Sequence, residues 1–314
     1  MIILFAGNSF IGRHVAAAAE GRAHVCIVAR SQDEAFHRDH APSAGFVHLE
    51  DFAGPAGDDL IGRAGALVHL AGTSIPASNL GAPWLELSDN VQPALQLFSR
   101  AAALNPAVRI VLPSSGGTVY GDGHAGPIPE TAALQPLTPY ALGKVMTEAA
   151  LAYVARRTGA DYAVLRISNP VGRWHAQRGQ GLVELAVRRA LAGQPLAVFG
   201  DGQAVRDYFD ADDLADAILT VAAAEGRLQE AFNVGSGQGR TVLQIAELVS
   251  SAAGTPLELM RQPARSTDLT YAVLDVRRIA DRLGWRASTP LERTVGKLVA
   301  AFSGRPRLSR AVER

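Results

Sequence analysis

Residues 2–12 read Ile2-Ile3-Leu4-Phe5-Ala6-Gly7-Asn8-Ser9-Phe10-Ile11-Gly12: a short apolar run, a turn of small and polar residues, and the opening of a helix. The unit predicts strand, turn, helix, with a strand at 2–6 and a helix at 11–20. Working outward, further β-branched runs predict strands at 24–29, 46–49, 66–70, 108–112 and 162–167. Ala/Leu-rich stretches predict helices at 85–104 and 140–158, the latter with Val145, Ala149, Ala152 and Tyr153 at helical spacing. Strands alternating with helices are the pattern of an α/β fold, a doubly wound parallel sheet covered on both faces.

After Pro170 the rhythm changes to a Gly/Arg/Gln loop at 172–181, a helix near 181–192, a strand at 196–199 and a turn at Gly200–Gly202. Helices are expected at 213–224 after Asp212 as a cap, at 241–252 after Gly239, and before Gly284. The tail from Ser303, with Pro306 and four arginines, has little to bury and is expected to fray. No repeat recurs at a solenoid period.

With 314 residues, 48% hydrophobic and 19% charged, the chain can bury a full core, which excludes disorder and coiled coil as its main state. Thirty basic residues balance thirty acidic ones, so no global field gathers nucleic acid or anionic membrane; an anionic ligand must be held by local donors. The single cysteine, Cys26, excludes an intramolecular disulfide framework and a multi-cysteine zinc site. The opening apolar run is too short for a signal peptide, and no run reaches the ~20 apolar residues of a membrane span. A soluble, cytoplasmic protein is the expectation.

The turn Gly7-Asn8-Ser9-Phe10-Ile11-Gly12 stands where a pyrophosphate meets helix N–H groups, with small residues for close backbone approach. Arg30 follows the second strand. A guanidinium cannot accept from a ribose 2′-hydroxyl but can pair with a 2′-phosphate, which points to NADP; the other reading is a solvated strand-end arginine. Asp51 and Phe52, after the third strand, could hold an adenine amino group and face. Ala71-Gly72, after the fourth, lets a cofactor lie against the backbone.

Tyr140-Ala141-Leu142-Gly143-Lys144 places a phenol and an ammonium four residues apart on one helix face. A nearby cation favours the phenolate, which suits a general acid/base. Upstream, strand 108–112 runs into Ser114-Ser115-Gly116-Gly117-Thr118-Val119-Tyr120-Gly121, a hydroxyl-rich turn at a strand's C-terminal end, where open α/β sheets bind ligands.

In these motifs the chain resembles the extended short-chain dehydrogenases/reductases of the nucleotide-sugar epimerase/dehydratase family, UDP-glucose 4-epimerase-like. The resemblance extends to about residue 300 through Phe10-Ile11-Gly12, His69-Leu70-Ala71-Gly72, Asn90-Val91, Pro139-Tyr140 with Lys144 and Glu148, Asn169-Pro170-Val171-Gly172, Arg206-Asp207-Tyr208, Phe232-Asn233-Val234-Gly235 and Leu283-Gly284-Trp285. It implies a Rossmann-type dinucleotide-binding domain at 1–172 with a return near 207–236, a smaller C-terminal α/β substrate region at 173–302, and a flexible tail at 303–314. It implies NAD or NADP as cofactor, with Leu70, Asn90, Ser114 and Pro170 joining the cofactor contacts. Tyr140 and Lys144 would be the catalytic pair, Lys144 also reaching the nicotinamide ribose. Asn169 would touch a nucleotide-sugar diphosphate, and Arg206 and Arg265 would clamp it. A homodimer through 85–104 and 140–158 is also implied.

The chain departs from that pattern at several positions. Ala6 and Ser9 stand where relatives carry glycines, and Gly116 stands where the catalytic hydroxyl belongs, so Ser115 or Thr118 must replace it. Gly117-Thr118 replace the Asp-Glu pair of the 4,6-dehydratases, which argues against dehydration. His37 and His40 are expected to be solvated, Asp210, Asp212 and Asp213 to cap a helix, and no metal is expected. The loop 174–180 reads either as a cover for a sugar or as a mobile surface loop. The expected function is C4 epimerisation of a UDP-hexose; the alternatives are an NADP-dependent reductase of a nucleotide 4-keto sugar and a non-catalytic nucleotide-binding protein.

Overall fold

The computed structural model describes residues 1–175, 181–265 and 268–304. From the N-terminus the chain runs β1 (Ile2–Phe5), α1 (Phe10–Ala18), β2 (Val25–Ala29), α2 (Glu34–His40), β3 (Gly45–His48), α3 (Leu49–Phe52), α4 (Pro55–Arg63) and β4 (Ala66–His69). A π-helical turn, Leu87–Val91, leads into α5 (Gln92–Leu104), followed by β5 (Arg109–Ser115), α6 (Pro139–Thr158) and β6 (Asp161–Ile167). The second half comprises β7 (Asn169–Val171), α7 (Leu182–Ala192), β8 (Leu196–Phe199), β9 (Val205–Asp210), α8 (Ala211–Ala223), β10 (Glu230–Val234), β11 (Gly239–Thr241), α9 (Val242–Ala253), β12 (Leu259–Gln262), β13 (Tyr271–Ala272), α10 (Arg277–Leu283) and α11 (Leu291–Ser303).

Seven strands form one parallel sheet in the order β10-β6-β5-β4-β1-β2-β3, a Rossmann-type doubly wound architecture. The chain winds from β1 through β2 to β3, then crosses to β4 on the other side of β1, which puts a topological switch point between β1 and β4. One face is covered by α1 and α8, packed through Val15, Leu214 and Ile218; the other by α4, α5 and α6 through Leu60, Phe98 and Leu151. The C-terminal region has its own core, where Val187, Ile245 and Leu298 join α7, α9 and α11 over the small sheets β11-β9-β13 and β12-β8.

Several expectations change. The cap of α8 is Asp210, whose side chain accepts from the Asp212 N–H. Asp212 instead meets His14 Nδ1 at 2.6 Å, and Asp213 accepts from Ser288 and Thr289. His37 is buried on α2 rather than solvated, because Phe36 and Phe46 close over it. The buried face of α6 is Ala141, Thr147, Leu151 and Val154; Tyr153 of the stripe read from the sequence is 54% exposed. Ser303 closes α11 and so is not part of the expected tail, of which residues 305–314 lie outside the described residues, as do 176–180 of the 174–180 loop. Among the described residues no helix is long and apolar enough to cross a membrane, and no His/Cys/Asp/Glu group could hold a metal ion.

Candidate active site

Thr138 caps α6 by accepting from the Ala141 N–H, and Pro139 starts the helix with its φ already helical. Tyr140 and Lys144 then lie one turn apart, with Lys144 Nζ 5.7 Å from the Tyr140 ring centroid. Nζ donates to the Pro113 carbonyl at 3.3 Å, which ties the ammonium to the end of β5. One turn further, buried Glu148 receives Ser114 Oγ and the Arg166 guanidinium, at 2.8 Å from Nη2. Arg166 also donates to Tyr120 Oη at 3.1 Å, and that hydroxyl donates to Asn233 Oδ1 at 2.7 Å. The network holds α6 against β5, β6 and β10. Burial pushes the Tyr120 phenol up to about 12, so it stays neutral and structural.

One cavity at the C-terminal edge of the sheet brings together Ala71, Gly72, Asn90, Tyr140 and Lys144 from the expected set. His69 forms part of its wall, between the rings of Phe5 and Phe98. Burial first, and the Lys144 charge second, bring its imidazole down to about 3, so it adds no competing positive charge. Two residues that sequence reading missed, Glu86 and Ser74, also line the cavity. Glu86 is 1% exposed and accepts three hydrogen bonds at 2.9 Å, from Ser74 Oγ, Asn79 Nδ2 and Asn90 Nδ2. Asn90 Oδ1 in turn receives the Thr73 N–H at 2.9 Å. The π-helical turn between Glu86 and α5 carries Asn90, and such turns recur at functional sites.

The hydroxyl turn is more restrictive than its composition implies. A β-carbon on Gly116 would lie 2.7 Å from the Arg166 carbonyl oxygen and 2.6 Å from Leu274 Cδ1, so the position has no room for a side chain. Ser114 Oγ donates to Glu148, and Thr118 Oγ1 donates to the Ser115 carbonyl at 3.3 Å. Among the described residues, the Ser115 hydroxyl is the one on this turn without such a bond.

At the other end of the cleft, a β-carbon on Gly12 would fall 2.2 Å from the Gly7 carbonyl oxygen, so α1 can approach the turn only through glycine. Ala6 holds φ +63°, a left-handed conformation that costs a non-glycine residue about 1 kcal/mol or more. Ser9 caps α1 through the Gly12 N–H, leaving the first-turn N–H groups of Phe10 and Ile11 without intrahelical acceptors. Asn8 Oδ1 is buried without a partner among the described residues. Free N–H groups, an orphaned acceptor and a glycine-tight turn fit a dinucleotide whose pyrophosphate meets α1. Arg30 is exposed after β2, and Asp51 is exposed on α3. Phe52 corrects an expectation: its ring is 2% exposed, packed on Phe5 and under Arg100, and offers no face to an adenine.

On the substrate side, Asn169 Nδ2 donates to the Asp207 carbonyl at 3.0 Å, beside Pro170 on β7. Arg206 is half-buried, and its two hydrogen bonds go to the carbonyls of Val205 and Leu269; among the described residues it has no carboxylate partner. Burial lowers its pKa from the ordinary arginine value, against the opposing pull of Tyr208, Asp268 and Asp122. Arg265 is exposed, its guanidinium carbon 3.4 Å from the Phe199 ring centroid.

A doubly wound parallel sheet with a Tyr–Lys pair beside its switch point has the organisation of a nicotinamide-dependent oxidoreductase. The chain belongs to the NAD dependent epimerase/dehydratase family, whose profile matches residues 3–235. It is 32% identical to a UDP-glucose 4-epimerase of Mycolicibacterium smegmatis over 237 residues, 75% of each chain. It is 30% identical to the dTDP-4-dehydro-6-deoxyglucose reductase of Escherichia coli over 237 residues, 75% of this chain and 74% of that one. Among solved structures, the UDP-glucose 4-epimerase of Thermotoga maritima with UDP-glucose superposes with a TM-score of 0.84 at 29% identity, covering 96% of this chain and 98% of that one. The Thermus thermophilus UDP-glucose 4-epimerase in complex with NAD gives 0.83 at 25%, covering 96% and 99%.

Proposed function

We propose that the protein epimerises a UDP-hexose at C4 through a transient 4-keto sugar. The observation that carries this reading is the Tyr140–Lys144 pair in a cavity with Ala71, Gly72 and Asn90, at the sheet edge where α1 presents its N-terminus. Tyr140, as phenolate, takes the C4 hydroxyl proton, and Lys144 stabilises that phenolate and reaches the nicotinamide ribose. A nicotinamide dinucleotide, NAD or NADP, would supply reversible hydride acceptance at C4, open to either face of the sugar. Tyr140 then gives the proton back to the C4 oxygen, so no proton or electron is left over. The turn 7–12 would hold the pyrophosphate, with Ala71-Gly72 and Leu70 along the cofactor backbone. Ser115 would supply the hydroxyl contact absent at Gly116.

The sugar must turn between the two hydride transfers while its diphosphate stays clamped. Arg206, which has no ion-paired carboxylate among the described residues, and Arg265 would hold the diphosphate beside Asn169, leaving the sugar loosely gripped. The region 173–302 would thus serve the substrate and 1–172 the cofactor. Exposed apolar residues on α6, Leu142 and Tyr153, support a homodimer through α5 and α6. A cytoplasmic role in carbohydrate metabolism follows from a nucleotide-sugar substrate. A reductase of a 4-keto nucleotide sugar is the second reading, favoured by Arg30 and by likeness to the E. coli reductase. Incubation of UDP-glucose or UDP-galactose with enzyme and a catalytic amount of oxidised cofactor tests the proposal: interconversion supports epimerisation, whereas consumption of one reduced cofactor per product supports the reductase.

A further inference from the structure

Glu86 is buried in the wall of the cavity that holds Tyr140 and Lys144, and among the described residues it forms no ion pair. Burying a lone carboxylate is costly, and here hydrogen bonds offset the cost. Its donors join separate parts of the chain. Oε1 accepts from Asn79 Nδ2 and Oε2 from Ser74 Oγ, each at 2.9 Å and both on the segment that follows β4. Oε2 also accepts from Asn90 Nδ2 at 2.9 Å, on the π-helical turn before α5, and lies against Gly143 on α6. Asn90 passes the constraint on. Its Nδ2 also reaches Ser74 Oγ at 3.3 Å, and its Oδ1 accepts from the Thr73 N–H at 2.9 Å and from Thr73 Oγ1 at 3.2 Å. Thr73 directly follows Ala71-Gly72. Asn79 turns the segment with φ +59°, a left-handed conformation that asparagine tolerates, so its side chain points back to the carboxylate. One carboxylate thus ties the Ala71–Thr73 wall of the cleft to the helix that carries Tyr140 and Lys144.

We propose that Glu86 is a positioning residue of this active site: by hydrogen bonding it fixes the gap between the Ala71–Thr73 wall and the Tyr140–Lys144 face of α6. The inference rests on the proposed function, in which a nicotinamide lies along Ala71-Gly72 and the sugar hydroxyl meets Tyr140. Hydride and proton leave the same sugar carbinol for these two walls, so their separation sets the geometry of both transfers. A misplacement of about 1 Å there can cost about 100-fold in rate. The role is geometric. Both oxygens of Glu86 are engaged by donors of the protein, and epimerisation leaves no proton for a further group to carry away. An apolar side chain of the same size would strip Ser74 and Asn90 of their common acceptor and free the wall to move. A glutamine would keep one acceptor oxygen for them, because Asn79 can turn its amide to accept from the new Nε2.

The test compares the full-length protein with Glu86→Leu, Glu86→Gln and Asn79→Gly. The last keeps the left-handed turn without strain and removes only the tether, at a residue that does not line the cavity. Hydrogen exchange of the nucleotide-free protein reads the positioning directly, at the Thr73, Ile75 and Ser78 amides, each hydrogen-bonded in this segment. They should exchange about 10-fold or more faster in Glu86→Leu and Asn79→Gly, and close to the wild-type rate in Glu86→Gln. Turnover should follow the same order. The kcat should fall about 100-fold in Glu86→Leu and about 3- to 10-fold in Asn79→Gly, and stay within about 3-fold in Glu86→Gln. The KM for the nucleotide sugar should stay within about 3-fold throughout, because the residues placed on the diphosphate are untouched. Glu86→Gln as damaging as Glu86→Leu would overturn the geometric role in favour of one for the charge. Exchange or kcat unchanged in Glu86→Leu and Asn79→Gly would overturn the inference, and if Glu86→Leu does not fold, Asn79→Gly against Glu86→Gln decides. A wild-type protein that turns over no nucleotide sugar would overturn the proposed function alone, and exchange would then decide the positioning.

Discussion

Glu86 Oε2 lies 2.6 Å from where a β-carbon on Gly143 would stand. The glycine immediately before Lys144 is therefore what admits a buried carboxylate against α6, and that carboxylate holds Ser74, Asn79 and Asn90 in place. Gly143→Ala should displace Glu86, destabilise the protein by about 1–3 kcal/mol and lower turnover. Because both residues act through one contact, a double-mutant cycle with Glu86→Ala should be strongly non-additive in chemical denaturation. Additive losses would show that the contact is incidental.

Tyr140 carries the proton in this account. Tyr140→Phe should lower turnover by about 100-fold or more with little change in melting temperature, since the ring is half-exposed and the phenylalanine keeps its shape. Turnover near the wild-type value would remove Tyr140 from its role.

The turn at 114–118 yields a paired prediction. Restoring a hydroxyl by Gly116→Ser pushes a β-carbon onto the Arg166 carbonyl and should destabilise the protein by about 1–3 kcal/mol without raising turnover. Ser115→Ala should instead reduce kcat on the order of 100-fold if its free hydroxyl assists the C4 oxygen. A faster Gly116→Ser enzyme would mean that the turn opens to accept a side chain and that Ser115 is a poor substitute.

Glu184, on α7, is 3% exposed and accepts from the Gly172 N–H at 2.9 Å. Burial, its first cause, pushes the carboxyl up to about 7. The folded state therefore holds a proton that the unfolded chain has released, so stability falls as pH rises from the unfolded pKa, ~4.5, through about 7. Glu184→Gln, which keeps an acceptor for Gly172, should flatten the decline in melting temperature across that window and be relatively more stable above it. Parallel melting curves for the two proteins from about pH 5 to pH 8 would contradict this.

The first six strands, α1 and the Tyr140–Lys144 spacing were legible because each depends on residues close in sequence: β-branched runs, a strand–turn–helix unit, a four-residue helical step. Glu86 was not, since its place depends on a glycine 57 positions later having no β-carbon. Phe52 looked free in sequence, yet Phe5 and Arg100, brought from β1 and α5, cover its ring. Three aspartates at the start of α8 could be assigned to capping as a group, but His14 and Ser288, distant in sequence, decided which one caps. Helix α11 was missed although Leu291, Val295, Leu298 and Phe302 repeat at helical spacing; α2, of seven residues, is too short to show a stripe, and α4 buries only Gly57, Leu60 and Ile61.

The central claim is that hydride leaves C4 of a UDP-hexose and returns within one turnover. It is tested most directly by following nucleotide-sugar composition and nicotinamide absorbance together. UDP-glucose, UDP-galactose and their N-acetyl and uronic relatives are each incubated with enzyme and a catalytic amount of oxidised cofactor, then resolved by chromatography. The account predicts interconversion of one C4-epimeric pair over many turnovers, from either side to the same ratio, with no net change in absorbance. Silence from every nucleotide sugar, or product formed only with stoichiometric consumption of reduced cofactor and a 4-keto substrate, would contradict it.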